Sequence, residues 1–330
     1  MDKVRVGIIG CGVISEKHFN AYNAIPNDVE IIACCDIDEE RVKKVKNEWG
    51  IKYYFTKVEE LLDCVQVDAV SICLPHNYHA EVAVKAAKNG KHVLCEKPIA
   101  NTLEEAAEII EAARKYKVKL MIGHSERFDS TTLKLRELIN SGSIGRPFMS
   151  RVAFEYYPDM SSRMWMMNAD KAGGGVLINS GIHKVDLLRY LFNREVENVA
   201  AFMSRTRLDF AVEDSVMLNL RFADNCIGQI FASFAVKRKP KIWTEQSIYG
   251  ERGTIEVKRE KIYVHYEGSE QPLVFFSSTG DGIQNEIKEF INCIINDKPS
   301  PVSGEDAIRT LAVVLAAYES ARENKVVCLG

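Results

Sequence analysis

The sequence predicts an α/β protein of two domains, in which a parallel sheet covered by helices on both faces precedes a domain with a mostly antiparallel sheet. The chain has 330 residues, enough for two domains at roughly 150 residues each. Residues 1–125 alternate apolar strand-like runs with amphipathic helical runs, as a doubly wound parallel sheet requires. After Phe128, strand-like segments separated by turn residues dominate. We therefore assign residues 1–125 to a first domain and residues 126–330 to a second.

The first domain contains short apolar runs that we predict as strands. They are Val4–Ile9, Glu30–Asp36, Ala69–Leu74, His92–Cys95 and Lys119–Ile122. A helix is predicted after Thr102, because Thr102 and Glu105 form a capping box ahead of apolar residues at helical spacing. A second helix is predicted over Ala80–Asn89, stopped by Gly90.

The second domain is predicted to contain four helices and a series of strands. The helices are Thr131–Asn140, Gly175–Phe192, Ile283–Ile295 and Glu305–Glu323. The strands are Phe148–Tyr157, Ser215–Phe222, Ile227–Val236, Trp243–Tyr249, Thr254–Val257 and Lys261–Tyr266. Their separation by Gly and Asp-Asn turns favours antiparallel pairing.

Composition and charge exclude several partners. Lys and Arg total 43 against 46 Asp and Glu, which makes no electrostatic case for nucleic-acid binding. Apolar stretches such as Leu311–Tyr318 fall short of the roughly 18 residues that span a bilayer, so no membrane partner is expected. The N-terminus runs directly into a strand without a signal-peptide pattern, which predicts a cytoplasmic protein. Nine cysteines without a C-x-x-C pair are expected to be buried thiols in a reducing compartment.

A glycine turn follows the first strand and opens a helix, which is the context of a dinucleotide fingerprint. Gly10 permits the tight turn, Gly12 allows a pyrophosphate to approach the helix N-terminus, and Ser15 replaces a third glycine. The predicted cofactor contacts are Gly10, Cys11, Gly12, Val13 and Ile14. A plain strand–turn–helix link is the alternative interpretation.

Asp36 ends the second strand roughly 20 residues beyond this turn, where a carboxylate binds ribose hydroxyls in such folds. Its charge favours NAD over NADP. Ile37 is predicted to contact the cofactor beside it. Arg41 is a further cofactor candidate and keeps NADP open, because it could reach a 2′-phosphate. Asp36 as an ordinary turn or cap residue is the alternative.

Two further loops follow strands at the same carboxyl edge of the predicted sheet, where ligands of such sheets bind. The first supplies Leu74, Pro75, His76, Asn77 and His79 as cofactor candidates, although Asn77 or His79 could instead cap the following helix. The second is Glu96-Lys97-Pro98, in which Pro98 restricts the backbone of Lys97. Glu96 and Lys97 are predicted to contact the cofactor, and a solvated surface ion pair is the alternative.

A polar stripe is predicted on the helix after Gly173-Gly174-Gly175. Asn179, His183 and Asp186 are spaced by four and three residues, which places them on one helix face. A structural role for the histidine is the alternative. Metal binding is not predicted, because no third ligand has suitable spacing.

In their order along the chain, these motifs resemble the Gfo/Idh/MocA family, which includes glucose-fructose oxidoreductase and inositol dehydrogenase. The resemblance covers the glycine turn, Asp36, Glu96-Lys97-Pro98, the Gly123–Phe128 segment and the Gly173–Asp186 block. It implies an N-terminal Rossmann domain, a C-terminal α/β domain with a large open sheet, and a homodimer or homotetramer formed through that sheet. It also implies an NAD(P)-dependent sugar or polyol oxidoreductase in which Lys97 and His183 handle the proton.

The same resemblance implies further contacts. Many members have Asp where this chain has Asn179, so Asn179 is expected to bind a substrate hydroxyl. The other expected substrate contacts are His124, Tyr156, Arg163 and Asp186, and Trp165 is expected to close over the cofactor. Two relatives of different function remain as alternatives. One is a non-catalytic sensor or repressor that binds dinucleotide, and the other is a glycosidase that uses NAD transiently.

Overall fold

The computed structural model describes residues 3–159, 161, 164–207, 211–237, 242–258, 261–276 and 281–330. The chain divides into two units. Unit 1 is Met1–Ser125 with Gly282–Ile308, and unit 2 is Glu126–Asp281 with Arg309–Gly330. The predicted second domain contains all of residues 126–330, whereas Gly282–Ile308 groups with unit 1 in the structure. The reason is that the helix Gly282–Ile295 packs its apolar face on the helix Val13–Asn23 of unit 1.

The sheet of unit 1 is parallel throughout its described strands, in the order β3-β2-β1-β4-β5-β6. The chain leaves β1 toward β2 and β3 and then returns to β4 on the other side. The carboxyl edge between β1 and β4 is therefore the switch point at which such sheets bind ligands. The strands are β1 Val4–Ile9, β2 Val29–Cys35, β3 Tyr53–Phe55, β4 Ala69–Ile72, β5 His92–Glu96 and β6 Leu120–Gly123.

The predicted strands of unit 1 are confirmed within two residues, and β3 was missed because it is only three residues long. The capping box at Thr102 and Glu105 is present and starts α5. The helices of this unit are α1 Val13–Asn23, α2 Glu39–Trp49, α3 Val58–Leu62, α4 His79–Lys88, α5 Leu103–Tyr116 and α9 Gly282–Ile295. The last helix, α10 Gly304–Glu323, begins in unit 1 and continues into unit 2.

His92, at the start of β5, makes unit 1 sensitive to acid. The backbone N–H of Lys119 donates to His92 Nδ1 at 2.9 Å, which requires an unprotonated nitrogen. Burial, with the nearby Lys119 charge, lowers the pKa of His92 from its usual 6.5. Because the folded state disfavours the protonated ring, stability falls as the pH drops through about 6.5, where the unfolded chain takes up the proton.

We therefore expect the wild type to lose more thermal stability than His92→Asn between about pH 7.5 and about pH 5.5. The Asn side-chain oxygen can accept the same hydrogen bond without titrating. Thermal melting of both proteins across this range measures the difference. An equal fall in the two melting temperatures would contradict the assignment.

The sheet of unit 2 is antiparallel among its described strands except where β7 and β10 pair in parallel. The order is β14-β13-β12-β11-β7-β10-β9-β8-β15. This confirms the prediction of a large, mostly antiparallel sheet. The strands are β7 Pro147–Tyr156, β8 Val196–Ser204, β9 Ser215–Phe222, β10 Ile227–Ser233, β11 Ile242–Gly250, β12 Gly253–Lys258, β13 Lys261–Tyr266, β14 Leu273–Phe276 and β15 Val327–Cys328.

One face of this sheet is buried and the other is exposed. Along β9, Val216, Leu218, Leu220 and Phe222 are buried and the residues between them are not. This period of two is typical of a strand with one buried face. Three strands of this sheet were not predicted: β8, in which a bulge between Val196 and Asn198 breaks the alternation, and the short β14 and β15.

The predicted helix over Gly175–Phe192 is interrupted. Leu177–Gly181 forms a π-helical turn, and α8 follows over Ile182–Phe192. The other described helices of unit 2 are α6 Ser130–Asn140 and α7 Ala169–Ala172. The wider turn alters the helical spacing, so the prediction of one continuous polar stripe is wrong. Asn179 and His183 are half-buried, whereas Asp186 is fully buried.

Among the described helices, none combines the length and apolarity needed to cross a membrane. No cysteine pairs with another, and most are buried as expected, but Cys328 on β15 is exposed.

Candidate functional site

The glycine turn at the carboxyl end of β1 needs glycine at its first position. Gly10 has φ +94°, and a Cβ there would lie 2.4 Å from the carbonyl oxygen of Cys73. Gly12 is the N-cap of α1. Ser15 is buried and its hydroxyl donates to the carbonyl oxygen of Gly12 at 2.6 Å, so the residue that replaces the third glycine stabilises the turn.

The Asp36 carboxylate is joined to this turn. It accepts hydrogen bonds from the backbone N–H groups of Cys11 and Asp38 at 2.8 and 2.9 Å. The Arg41 guanidinium lies 3.3 Å from Asp36 and 3.1 Å from the Asp38 carboxylate. Asp36 therefore holds the end of β2 against the glycine turn, and Arg41 is held by two carboxylates.

His79 joins two of the predicted cofactor loops. Its ring is fully buried, with Nδ1 2.7 Å from the carbonyl oxygen of Pro98 and Nε2 2.9 Å from that of Leu74. Burial lowers the pKa of His79. His76 is also buried and its ring lies edge-on to that of His79. These two histidines lie beneath the loops, and His79 holds them together by its two contacts. A fully buried ring has no surface for a ligand, which argues against the predicted direct contact of His79 with the cofactor.

The capping alternative for this segment is wrong. Tyr78 is the N-cap of α4, and no side chain among the described residues caps it. Leu74, Pro75 and Asn77 are half-buried at the carboxyl edge of the sheet, so these three predicted cofactor contacts have accessible surface, unlike His76 and His79.

Glu96 points away from solvent toward α1. Its carboxylate lies 3.0 Å from Nε2 of His18, a fully buried residue. Burial opposes ionisation of Glu96, but the bond to His18 and the Lys97 charge outweigh it and lower its pKa. A Cβ on Gly123 would lie 3.3 Å from the Glu96 carboxyl carbon, which explains a glycine there. Lys97 is half-buried and precedes a cis peptide bond to Pro98.

In unit 2, the first turns of α8 present His183, while two charged neighbours of His183 face inward. Asp186 accepts from Arg127 at 2.5 and 2.6 Å and from the hydroxyl of Thr310 at 3.0 Å. Lys184 is paired with Glu126 at 2.6 Å. The Gly123–Phe128 motif therefore supplies two ion-pair partners that fix α8. We interpret Asp186 as a structural residue, which corrects its assignment to the substrate.

The remaining predicted contacts are unevenly exposed. His124 is only 1% exposed. Tyr156 is half-buried and packs edge-on against Phe234, and Trp165 is half-buried in a short 3₁₀ turn. Ile37 is 91% exposed beside Asp36. Arg163 lies outside the described residues. No group of three or more metal-ligating side chains occurs in the described part of the chain.

The residues at the carboxyl edge of unit 1 fit a dinucleotide. A Cβ on Gly12 would meet no atom within 4 Å, and no described side chain caps α1 there. The space beside Gly12 is therefore open, and a pyrophosphate there could accept hydrogen bonds from the N-terminal backbone N–H groups of α1. Asp36 is hydrogen-bonded to the same turn.

Comparison with known proteins agrees with this geometry. Residues 4–124 match the Gfo/Idh/MocA oxidoreductase family with an NAD-binding Rossmann fold, and residues 136–329 match the C-terminal alpha/beta domain of that family. The chain is 30% identical to a myo-inositol 2-dehydrogenase of Thermotoga maritima, over 99% of this chain and 98% of the relative. It is 31% identical to a 1,5-anhydro-D-fructose reductase of Ensifer adhaerens, with 96% of each covered.

The fold is shared with an oxidoreductase of Agrobacterium radiobacter whose crystal structure holds NAD+, L-tartaric acid and magnesium. The TM-score is 0.90 at 23% identity, over 99% of this chain and 98% of the other. Because both family regions match in order and a relative at 30% identity spans the chain, this protein belongs to the Gfo/Idh/MocA oxidoreductase family and carries its NAD-binding Rossmann domain.

Proposed function

We propose that this protein transfers a hydride between a nicotinamide and a secondary alcohol or ketone of a sugar, cyclitol or sugar derivative. Two relatives aligned over nearly their whole length support this substrate class, since one is named for an inositol and the other for an anhydro sugar. Bound NAD supplies the hydride acceptor or donor.

The observation that carries this proposal is a contrast in exposure within the two motifs. Glu96 is hydrogen-bonded to buried His18, Lys184 forms an ion pair with Glu126, and Asp186 forms one with Arg127. Lys97 and His183, the neighbours with proton-transfer side chains, keep part of their surface accessible. Each motif thus combines a buried ion pair with a proton-transfer side chain that has accessible surface.

The local charges support different roles for these two groups. The Lys97 ammonium is one of the charges that lower the pKa of Glu96. As an ammonium, Lys97 can donate a hydrogen bond to the reacting oxygen and stabilise negative charge on it. His183 then serves as the general base for the alcohol proton, or as the acid in the reverse direction.

The substrate hydroxyls beyond the reacting carbon need further polar groups. Asn179 is half-buried in the π-helical turn just before α8, and its amide can both donate to and accept from a hydroxyl. Tyr156 offers a phenol at the end of β7. We propose Asn179 and Tyr156 as hydroxyl-binding residues, and Trp165 as a cofactor contact.

The exposed face of the unit 2 sheet supports self-association as a homodimer or homotetramer. Phe202, Met217 and Ile227 are exposed on neighbouring strands β8, β9 and β10. Burial of such apolar side chains favours association. Light scattering would measure the mass in solution, and a monomer at all concentrations would contradict this assignment.

A substrate panel tests the proposed activity. The purified protein is incubated with NAD+ and inositols, aldoses and anhydro sugars, and with NADH and the corresponding ketones, while NADH absorbance is followed. Turnover on one class is expected. Tight NAD binding without turnover in either direction would instead favour a sensor, and glycoside cleavage without net NADH would favour a glycosidase.

Asp36 should set the preference between NAD and NADP. The variant Asp36→Asn keeps an oxygen that accepts the backbone hydrogen bond but removes the charge that repels a 2′-phosphate. It also removes one of the two ion pairs of Arg41. We expect the NADP-to-NAD ratio of kcat/KM to rise about tenfold or more, equivalent to about 1.4 kcal/mol. Asp38→Asn, which alters the other partner of Arg41, is the matched control. An equal rise in both variants would contradict a special role for Asp36.

A further inference from the structure

Glu213, in the turn before β9, covers the start of the segment that carries Asn179 and His183. Its carboxylate accepts from the backbone N–H groups of Gly175 at 2.8 Å and Leu177 at 3.0 Å. Its own carbonyl oxygen accepts from the N–H of Val176 at 3.0 Å. Three consecutive backbone donors therefore end on one residue that lies far from them in sequence.

Tyr318 of α10 completes this arrangement. Its hydroxyl donates to Glu213 at 2.8 Å and accepts from the backbone N–H of Ile178 at 3.3 Å. A helix start leaves four backbone N–H groups without partners inside the helix. Here Glu213 and Tyr318 together bind the four N–H groups of residues 175–178. An anionic carboxylate at this position is also favoured by the helix dipole.

Two glycines before this segment lie in close contact with the same pair of residues, Glu213 and Tyr318. A Cβ on Gly174, which has φ +157°, would lie 2.1 Å from the Tyr318 hydroxyl oxygen, and one on Gly175 would lie 1.7 Å from the Glu213 carbonyl oxygen. The Gly173-Gly174-Gly175 motif therefore lets Glu213 and Tyr318 approach the backbone. The sequence showed these glycines only as the segment before the predicted polar stripe and did not reveal what they contact.

The segment held in this way is not a regular helix. The π-helical turn over Leu177–Gly181 follows directly, and such turns are less stable than α-helix and frequent at functional sites. Anchoring its four leading N–H groups fixes where the turn begins. The positions of Asn179 within the turn and of His183 just after it depend on that starting point.

We propose that Glu213 and Tyr318 are positioning residues that hold Asn179 and His183 in the geometry required for proton transfer. This inference rests on the proposed acid–base role of His183. Neither residue needs to touch the substrate. Their effect passes through the backbone of residues 175–178 into the π-helical turn and the first turn of α8.

Two variants test the proposal, each with a matched control. Glu213→Gln keeps the shape but turns an NH₂ group toward a backbone N–H, so that one hydrogen bond is replaced by a clash of donors. Tyr318→Phe removes the hydroxyl that serves both Glu213 and Ile178. Glu197→Gln on exposed β8 and Tyr266→Phe at the end of β13 control for the chemical changes.

The first readout needs no substrate. The protein with NADH bound and ¹³C-labelled histidine is titrated by NMR. Both variants should shift the apparent pKa and the ring resonances of His183, while those of exposed His265 stay in place and the controls change neither. An unchanged His183 titration in both variants would overturn the proposal even if their melting temperatures fall.

The second readout uses turnover with the most active substrate of the panel. We expect kcat to fall roughly 10- to 100-fold in Glu213→Gln, no more than the lower end of the roughly 10²- to 10⁴-fold contribution of a general acid or base, with NADH affinity retained. In a background that carries both His183→Ala and Asn179→Ala, the same change should have no further effect, since it acts through these two residues. Additive losses in that background would overturn the positioning role. If His183→Ala itself retains full turnover, the proposed function fails instead.

Discussion

Replacing His183 or Lys97 with alanine should reduce kcat by roughly 10²- to 10⁴-fold while NADH affinity stays nearly unchanged. This is the range expected when a group that moves or stabilises a proton in the transition state is removed. Neither side chain is central to packing, because both are half-buried. The charged neighbours that stabilise the fold, Glu96 and Asp186, are left intact by these substitutions.

Steady-state kinetics with the panel substrate and fluorescence titration of NADH measure the two quantities. His265→Ala on β13 and Lys88→Ala at the end of α4 are matched controls, since both residues are exposed. Lys97→Arg adds a sharper comparison, because it keeps the positive charge but replaces a compact ammonium with a planar fork. Full turnover in either alanine variant would remove that residue from the mechanism.

The second large effect concerns the two glycines of the turn after β1. Alanine at Gly10 should lower stability, whereas alanine at Gly12 should lower NADH affinity. Gly10→Ala forces a Cβ to 2.4 Å from the Cys73 carbonyl oxygen at φ +94°. A left-handed residue costs about 1–2 kcal/mol and the backbone clash adds to it, so we expect a loss of about 3 kcal/mol or more. This corresponds to a fall in melting temperature of roughly 10 °C for a domain of this size.

Gly12→Ala should behave in the opposite manner. Its backbone lies in the extended region and a Cβ would meet no atom within 4 Å, so the free protein should keep its melting temperature. The added methyl group occupies the space where we place the pyrophosphate. NADH affinity should therefore fall at least tenfold, about 1.4 kcal/mol. Calorimetry of both variants with and without NADH separates the effects, and unchanged NADH binding by Gly12→Ala would place the pyrophosphate elsewhere.

Local sequence patterns predicted much of the architecture. The apolar runs at β1, β2, β4, β5 and β6 are confirmed, as is the capping box at Thr102. Each of these depends on residues within a few positions of one another. The pattern failed where elements were very short, as at β3 and β15, or where a bulge broke the alternation, as at β8.

The candidate site was predicted less completely. The motifs that carry Asp36, Lys97 and His183 were found from spacing and from resemblance. The contacts that neighbouring residues make in the folded protein were not predicted. Asp186 was expected to face the substrate and instead binds Arg127, and His79 was expected to contact the cofactor and instead joins two loops. Spacing predicts which face of a helix a residue lies on. It does not predict which distant group a polar side chain on that face will bind.

By itself, the sequence determined that this protein has a dinucleotide-binding parallel sheet and a second, mostly antiparallel sheet, and it located the two motifs for which we propose an acid–base pair. Only the tertiary structure decided which charged side chains of these motifs form buried ion pairs that support the fold. His18 meets Glu96 across 78 residues of sequence, and Tyr318 meets Glu213 across 105. The periodicity of the sequence cannot predict such pairs, because a buried charge is stabilised by whichever distant group the packing brings within hydrogen-bond distance.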